Sequence, residues 1–190
     1  MTRYPETAPE DMSCEQRRVV RAVHQRRKGG LEGPFVPLVY APGILDHLQA
    51  LGEHCRFHTG VPDKLRELAI IVAARHAASP YAFHVHAAVA RRLGLAEDAI
   101  MAIAAQQRPA RLDADEALVH DFCCGMCADG RVDDDVFERA EQRFGRAVII
   151  DLVAVCGYYA MLALGINVTQ PPQPPAFFEG YEPAFSVPAD

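Results

Sequence analysis

The chain has 190 residues, 50% of them hydrophobic, and a formal net charge of -6 at pH 7. This length and apolar content fit one domain with a sizeable core, and the negative charge argues against a nucleic acid as partner. Six irregularly spaced cysteines do not resemble the disulfide framework of a short secreted protein. Because neither an N-terminal apolar segment nor a run long enough to span a bilayer is apparent, we expect a soluble cytoplasmic protein without membrane contact.

The N-terminal third predicts two helices joined by a loop. Residues 1–10 are polar and proline-rich, so we expect an arm that is ordered only where another surface holds it. Residues 11–28 predict an amphipathic surface helix. The glycines and prolines of residues 29–42 break helices repeatedly and predict an extended loop at the mouth of a pocket. Residues 44–57 return to helical spacing.

The central stretch predicts two abutting buried helices. Residues 65–74 are apolar on nearly all sides, as in an interior helix, and Glu67 needs a partner there. Ser79 stands as an N-cap and Pro80 at the first helical position, so a second helix begins at once and forms an antiparallel hairpin with the first. One face of this second helix carries Ser79, Ala82, Phe83, His86 and Ala90.

The remainder predicts further helices. Residues 96–107, 113–128, 133–144 and 146–164 have helical patterns, and no strand-like alternation of useful length occurs. The fold class is therefore all-α, with a helical domain over residues 11–170. Residues 171–190 combine prolines with aromatic side chains, which favour burial, and predict an extended arm across a neighbouring subunit.

One spacing in the hairpin resembles a known motif. Glu67, position 79, position 82 and His86 match E-x(11)-C-x-x-C-x-x-x-H of the alkylhydroperoxidase D and carboxymuconolactone decarboxylase superfamily. Ser79 and Ala82 replace both redox cysteines, so the chain resembles the branch that lacks them. The flanks GPFVPLVYAPGILDHLQALGEHCRF and DLVAVCGYYAMLALGIN extend the resemblance to about residues 12–171.

The resemblance implies an alkylhydroperoxidase D-like helical bundle around the hairpin, assembled as a homotrimer or homohexamer. Without the two thiols, peroxide reduction is not expected. The implied activity is cofactor-independent and metal-free: decarboxylation or isomerisation of a small unsaturated carboxylic acid or lactone, as in aromatic catabolism. In this reading His86 is the general acid/base and Glu67 orients it. The catalytic residues we predict are His86, Glu67 and Tyr81.

The substrate site is less constrained by the sequence. A substrate carboxylate requires a cation, and Arg56 is the first choice because it precedes the hairpin beside His58. Tyr81, His84 and Tyr158 or Tyr159 are possible hydrogen-bond donors to an enolate. The predicted substrate-binding residues are His58, Arg56, Phe83, His84 and Tyr158.

Two alternatives come from other classes of function. A non-enzymatic oligomeric binding protein on the same scaffold predicts no contact between Glu67 and His86. A residual thiol-redox protein would use the C-x-x-C of Cys124 and Cys127, and predicts accessible thiols that titrate below ordinary cysteine.

Overall fold

In a computed structural model of the chain, residues 3–26 and 30–171 are described, and all regular secondary structure in these ranges is helical. This confirms the predicted all-α class. The helices are α1 (Cys14–Arg26), α2 (Phe35–Leu38), α3 (Pro42–Phe57), α4 (Asp63–His76), α5 (Pro80–Arg92), α6 (Glu97–Ala104), α7 (Ala114–Asp129), α8 (Asp134–Phe144) and α9 (Arg146–Thr169).

Helix α4 is the centre of the bundle. It packs against α5, α7 and α9, and each of its residues from Leu65 to Ala74 is buried. A helix buried on all sides needs apolar residues on all sides, which explains the absence of an amphipathic pattern in this segment. The predicted interior helix is therefore confirmed, and α4 and α5 form the predicted hairpin.

The turn between α4 and α5 is held by a residue far away in the chain. Ala78 adopts a left-handed conformation with φ of 50°, which is costly for a residue with a Cβ. The side-chain amide of Asn167 on α9 donates to the carbonyl oxygens of Ala77 at 2.8 Å and of Ala78 at 3.2 Å. These hydrogen bonds satisfy the carbonyls that the end of α4 leaves open.

Three details differ from the sequence predictions. Residues 29–42 are not wholly extended, because α2 forms one short turn within them whose Phe35 is buried in the core. Ser79 occupies the N-cap position of α5, but its side chain makes no capping hydrogen bond. Helix α9 continues five residues beyond Leu164 to Thr169.

The length of α9 overturns the prediction that no segment could span a bilayer. By length and composition alone α9 qualifies, with a mean hydropathy of 2.1 in its most apolar window. The core helix of a soluble protein meets the same criteria. Consistent with such a core role, α9 packs against α3, α4, α5, α7 and α8.

The N-terminal arm lies on the bundle over residues 3–10. The backbone N–H of Arg3 donates to the Thr169 carbonyl at 3.2 Å, and the Tyr40 hydroxyl donates to the Pro5 carbonyl at 3.0 Å. The arm is thus held by another surface, as its composition requires. The predicted C-terminal arm lies outside the described residues apart from Pro171.

Candidate active site

Glu67 is a buried carboxylate with a histidine and an arginine beside it. It lies in the second turn of α4 and is 1% exposed. The Nδ1 of His86 lies 2.7 Å from its Oε2, and a terminal guanidinium nitrogen of Arg56 lies 3.9 Å from its Oε1. A carboxylate removed from water requires such partners, so the sequence expectation that Glu67 meets a partner is confirmed.

The contact with Glu67 orients the imidazole of His86. An ionised carboxylate can only accept hydrogen bonds, so Nδ1 carries the proton and its N–H donates a hydrogen bond to Oε2. The second ring nitrogen, Nε2, is then available for a proton from another molecule. His86 is 8% exposed, and its ring meets the Tyr159 ring edge-on, with centroids 4.8 Å apart and an interplanar angle of 78°.

Arg56 connects this buried pair to solvent. Its side chain is 36% exposed and hydrogen-bonds with Tyr159. Burial alone would lower the pKa of Arg56, but the phenol of Tyr159 and the carboxylate of Glu67 outweigh it and raise the pKa above its usual value. The guanidinium is therefore a permanent cation next to the pair.

Close packing of α3 against α9 places Arg56 and Tyr159 together. A Cβ on Gly52 would collide with the Tyr158 hydroxyl, so glycine allows the two helices to approach at this point. The ring of Tyr158 meets that of Tyr159 edge-on at 5.2 Å. Tyr158 thus packs behind Tyr159, one ring further from His86.

Other predicted site residues are distributed over both sides of α5. Phe83 is 1% exposed and belongs to the hydrophobic core. His84 is half-buried, and burial followed by the charge of Arg91 lowers its pKa. Tyr81 packs against the loop at Gly33, and burial followed by the charge of Glu32 raises its pKa.

His58 is located at the end of α3 rather than within the buried group. It is the C-cap residue of that helix, and its side chain is exposed. Within residues 3–26 and 30–171 its side chain makes no hydrogen bond or ion pair. Its neighbour Arg56 is the residue of this helix end that reaches Glu67.

Tyr159 is the site residue that sequence reasoning did not select. Tyr158 and Tyr159 are consecutive, so they point about 100° apart around the helix. Which of them faces His86 depends on the rotation of α9. Because α9 is apolar on all sides, its sequence carries no amphipathic pattern that fixes this rotation.

The cysteine pair of α7 does not have the properties predicted for a redox couple. Burial raises the pKa of Cys124 to about 11, and a hydrogen bond with Cys156 together with burial raises the pKa of Cys127. The prediction that these thiols titrate below ordinary cysteine is therefore wrong. Across the described ranges, no group of three or more His, Cys, Asp or Glu side chains could hold a metal ion.

The fold and this site define an all-α protein whose central hairpin carries a buried glutamate–histidine pair. The chain matches the model of the Carboxymuconolactone decarboxylase family over residues 42–119. That segment runs from α3 into α7 and includes both Glu67 and His86. The match confirms the family resemblance over this segment, which also contributes Arg56 to the site.

Solved structures show the same fold over nearly the whole chain. A cysteine-to-alanine variant of the debrominase Bmp8, in complex with 2,3,4-tribromopyrrole, is 14% identical with a TM-score of 0.68, and the match covers 93% of this chain and 94% of that chain. The apo form of Bmp8 is 14% identical with a TM-score of 0.67, and covers 92% and 93% respectively. At this identity the similarity shows the fold alone. The comparison with curated proteins gave no match.

Proposed function

We propose that this chain is a cofactor-independent enzyme that relocates a proton in a small unsaturated carboxylic acid or lactone, by decarboxylation or isomerisation. The observation that carries this proposal is the 2.7 Å contact between His86 Nδ1 and Glu67 Oε2 inside the core. A base held by an orienting carboxylate and shielded from water is the arrangement that proton transfer requires. The family match over residues 42–119 supports an enzyme on this scaffold.

In this mechanism His86 exchanges a proton with the substrate carbon through Nε2. Removing a proton next to a carbonyl produces an enolate, and loss of carbon dioxide from a suitable acid produces the same kind of anion before protonation. Glu67 stabilises the imidazolium that forms while His86 holds the proton. Both reaction types therefore use the same pair of residues.

The cation of Arg56 binds the carboxylate or the developing enolate oxygen. It lies on the solvent side of the pair, whereas Glu67 and His86 are almost fully buried. Its hydrogen bond with Tyr159 fixes the guanidinium without neutralising it. Among the other predicted residues, Tyr81 is a proposed further catalytic donor to the enolate, and His84 is a proposed further substrate contact.

A small planar substrate agrees with one of the structures that share this fold. Bmp8 binds 2,3,4-tribromopyrrole, so this fold can accommodate a small planar organic molecule. A cleft of about 550 Å³ and another of about 360 Å³ occur elsewhere in this chain, and Glu67, His86 and Arg56 line neither of them.

The binding-protein alternative is less well supported. It predicted that Glu67 and His86 do not touch, whereas their side chains are in hydrogen-bond contact.

We also propose that the protein is a cytoplasmic homo-oligomer. One side of α9 exposes apolar side chains at helical spacing: Ile150, Val153, Met161, Leu164 and Val168. A contiguous apolar face of this kind marks an interaction surface. Sedimentation analysis of wild type and of Val153→Glu tests it, because a monomeric wild type, or an unchanged assembly in the variant, would contradict an interface through this face.

The activity test measures the turnover of a panel of muconolactones and conjugated hydroxy-diene acids by purified wild type and variants. Loss of substrate absorbance is followed without added cofactor. His86→Ala should lower kcat by about 10²- to 10⁴-fold, as expected for loss of a general acid/base. Glu67→Gln keeps the side-chain shape but removes the charge, and should also lower kcat. Arg56→Ala should mainly raise KM, and Arg56→Lys should restore part of the loss.

His47→Ala is the matched control, because His47 is an exposed histidine on α3 away from Glu67. It should retain wild-type activity. Turnover by wild type that persists in folded His86→Ala protein would exclude the proposed role of His86. Absence of turnover throughout the panel would favour the binding-protein function.

A further inference from the structure

A second cleft, remote from Glu67, contains a thiol next to a histidine. This cleft of about 550 Å³ lies where the end of α4 meets α6, α7 and the loop before α8. Its volume falls in the range of small-molecule sites. Its walls include Val72, Ile103 and Val136, together with His120, Asp121 and Cys124. His76 also lines it, nine residues beyond Glu67 and so about 13 Å further along α4.

Three consecutive contacts orient the polar residues of this cleft. The Sγ of Cys124 lies 3.4 Å from Nε2 of His120, one helical turn before it on α7. The Nδ1 of His120 lies 3.0 Å from Oδ1 of Asp121. Arg108 donates to both oxygens of Asp121 at 2.9 Å. A nucleophile, a base and a carboxylate that orients the base are thus connected in series.

The charge on Asp121 fixes which nitrogen of His120 holds the proton. Burial opposes ionisation of Asp121, but the hydrogen bonds from Arg108 and His120 outweigh it and lower its pKa. The ionised carboxylate accepts from Nδ1–H, which leaves the lone pair of Nε2 directed at the thiol. His120 is therefore poised to accept the proton of Cys124.

Cys124 differs from its neighbouring thiols. The Sγ atoms of Cys123 and Cys156 lie 3.6 Å apart, and both residues are buried between α7 and α9. Cys127 hydrogen-bonds with Cys156 and does not line the cleft. Among these four cysteines, Cys124 alone opens onto the cleft.

We propose that this cleft is a second reactive site, in which Cys124 adds reversibly to a small α,β-unsaturated carbonyl compound with His120 as general base. The Sγ proton moves to Nε2 of His120, and sulfur bonds to the β-carbon while the π electrons move to the carbonyl oxygen. His120 then returns the proton to the α-carbon. The net change is addition of S–H across the double bond, without oxidation, reduction or a co-reactant.

The raised pKa of Cys124 makes the base essential. Burial raises this pKa from 9.0 to about 11, so at neutral pH less of the thiol is ionised than in an exposed cysteine. Without assistance Cys124 should therefore react more slowly than an exposed cysteine, and transfer of its proton to His120 offsets this disadvantage.

The test uses the full-length reduced protein and 2-cyclopentenone as probe, with adducts on each cysteine quantified by peptide mass spectrometry over time. Cys14, which is exposed, provides the internal reference in the same sample. We expect Cys124 in wild type to react at least as fast as Cys14. In His120→Gln and in Asp121→Asn, the Cys124 rate should fall at least tenfold while the Cys14 rate stays constant.

Folding of the variants is monitored in the same experiment. His120 is 4% exposed, so a disrupted His120→Gln would also label buried Cys123 and Cys156. Asp121 is less buried than His120, so Asp121→Asn disturbs the fold less. If His120→Gln is disrupted, the rate measured in Asp121→Asn decides the outcome. The proposal is overturned if Cys124 in wild type reacts more slowly than Cys14, or if its rate falls less than tenfold in folded Asp121→Asn. These results test only the cleft that contains Cys124, because they do not depend on turnover at His86.

Discussion

His86 and Glu67 are joined across the α4–α5 hairpin by a 2.7 Å contact between Nδ1 and Oε2, with both side chains almost fully buried. Removing one member leaves the other buried without its partner, which typically costs several kcal/mol. The pair is therefore a structural unit as well as the proposed catalytic one. The stability and activity consequences of breaking it are separable by measurement.

We expect strong energetic coupling between these two residues. Glu67→Ala alone should lower the free energy of unfolding by about 3 kcal/mol, while the double variant with His86→Ala should cost at least about 1 kcal/mol less than the sum of the singles. Urea unfolding of the four proteins measures this coupling. The pair His54–Asp151, with a 3.1 Å contact and an exposed histidine, is the comparison and should show coupling below about 1 kcal/mol. Equal coupling in both pairs would contradict a special role for burial.

Gly52 should be sensitive to the addition of one methyl group. Gly52→Ala places a Cβ where the Tyr158 hydroxyl lies, so we expect a loss of about 1–3 kcal/mol from overpacking. Gly43→Ala is the control on the same helix, because a Cβ there meets nothing within 4 Å. It should be neutral or stabilising by up to about 1 kcal/mol. Thermal unfolding of both variants tests this, and similar melting temperatures would contradict the close approach of α3 and α9.

The buried pair and the hairpin that carries it were predictable from the sequence. Glu67 stood out because a carboxylate in an apolar helix demands a partner, and His86 followed from its position on the facing helix. The hairpin itself was predictable from the Ser79–Pro80 start signal and the unbroken apolar run before it. Local chemistry and periodicity are sufficient for features of this kind.

The remaining parts of the site depend on information that periodicity does not contain. Tyr159 faces His86 because of the rotation of α9, and the same rotation places the Tyr158 hydroxyl against Gly52, about a hundred residues earlier in the chain. The thiol–histidine contact of α7 was also missed. His120 and Cys124 share a helix face at i and i+4, but this spacing gains meaning only from the cleft that α4 and α6 form above it.

The capping box of α7 predicts a pH-dependent contribution to stability. Asp113 accepts from the backbone N–H of Glu116 at 2.8 Å, and the Glu116 carboxylate accepts from that of Asp113 at 2.9 Å. The hydrogen bond from Glu116, with a further contribution from Lys64, lowers the pKa of Asp113. Because the folded pKa is below the unfolded value of about 3.9, the stabilisation is complete above that value and is lost as pH falls through the folded pKa.

Asp113→Ala should therefore cost about 1 kcal/mol at pH 7, and the difference from wild type should vanish in acid. Asp133 is the matched control, since it is the N-cap of α8 but makes no side-chain capping hydrogen bond. Asp133→Ala should cost less than half as much at pH 7. Urea unfolding from pH 7 to pH 2.5 distinguishes the two residues, and a constant Asp113→Ala difference at all pH values would disprove the proposed linkage.

Ser79 should be dispensable for stability despite its N-cap position. Its hydroxyl is buried, and within the described part of the chain it has no hydrogen-bond partner. Burying an unsatisfied hydroxyl is unfavourable, so Ser79→Ala should be neutral or stabilising rather than costing the usual cap energy of about 1 kcal/mol. Thermal unfolding of wild type and Ser79→Ala shows whether the substitution raises or lowers stability. A loss of 1 kcal/mol or more, as expected for Asp113→Ala, would show that the hydroxyl does act as a cap.

Asn167 has a consequence for the order in which the site is assembled. Its amide holds the α4–α5 turn, and Tyr159 on the same helix lies against the base. During synthesis, the turn at Ala77 leaves the ribosome about ninety residues before Asn167 does, so the strained Ala78 turn must form without these hydrogen bonds or wait for them. The proposed site is therefore complete only after α9 has docked, because α9 supplies both Tyr159 and the amide that holds the turn.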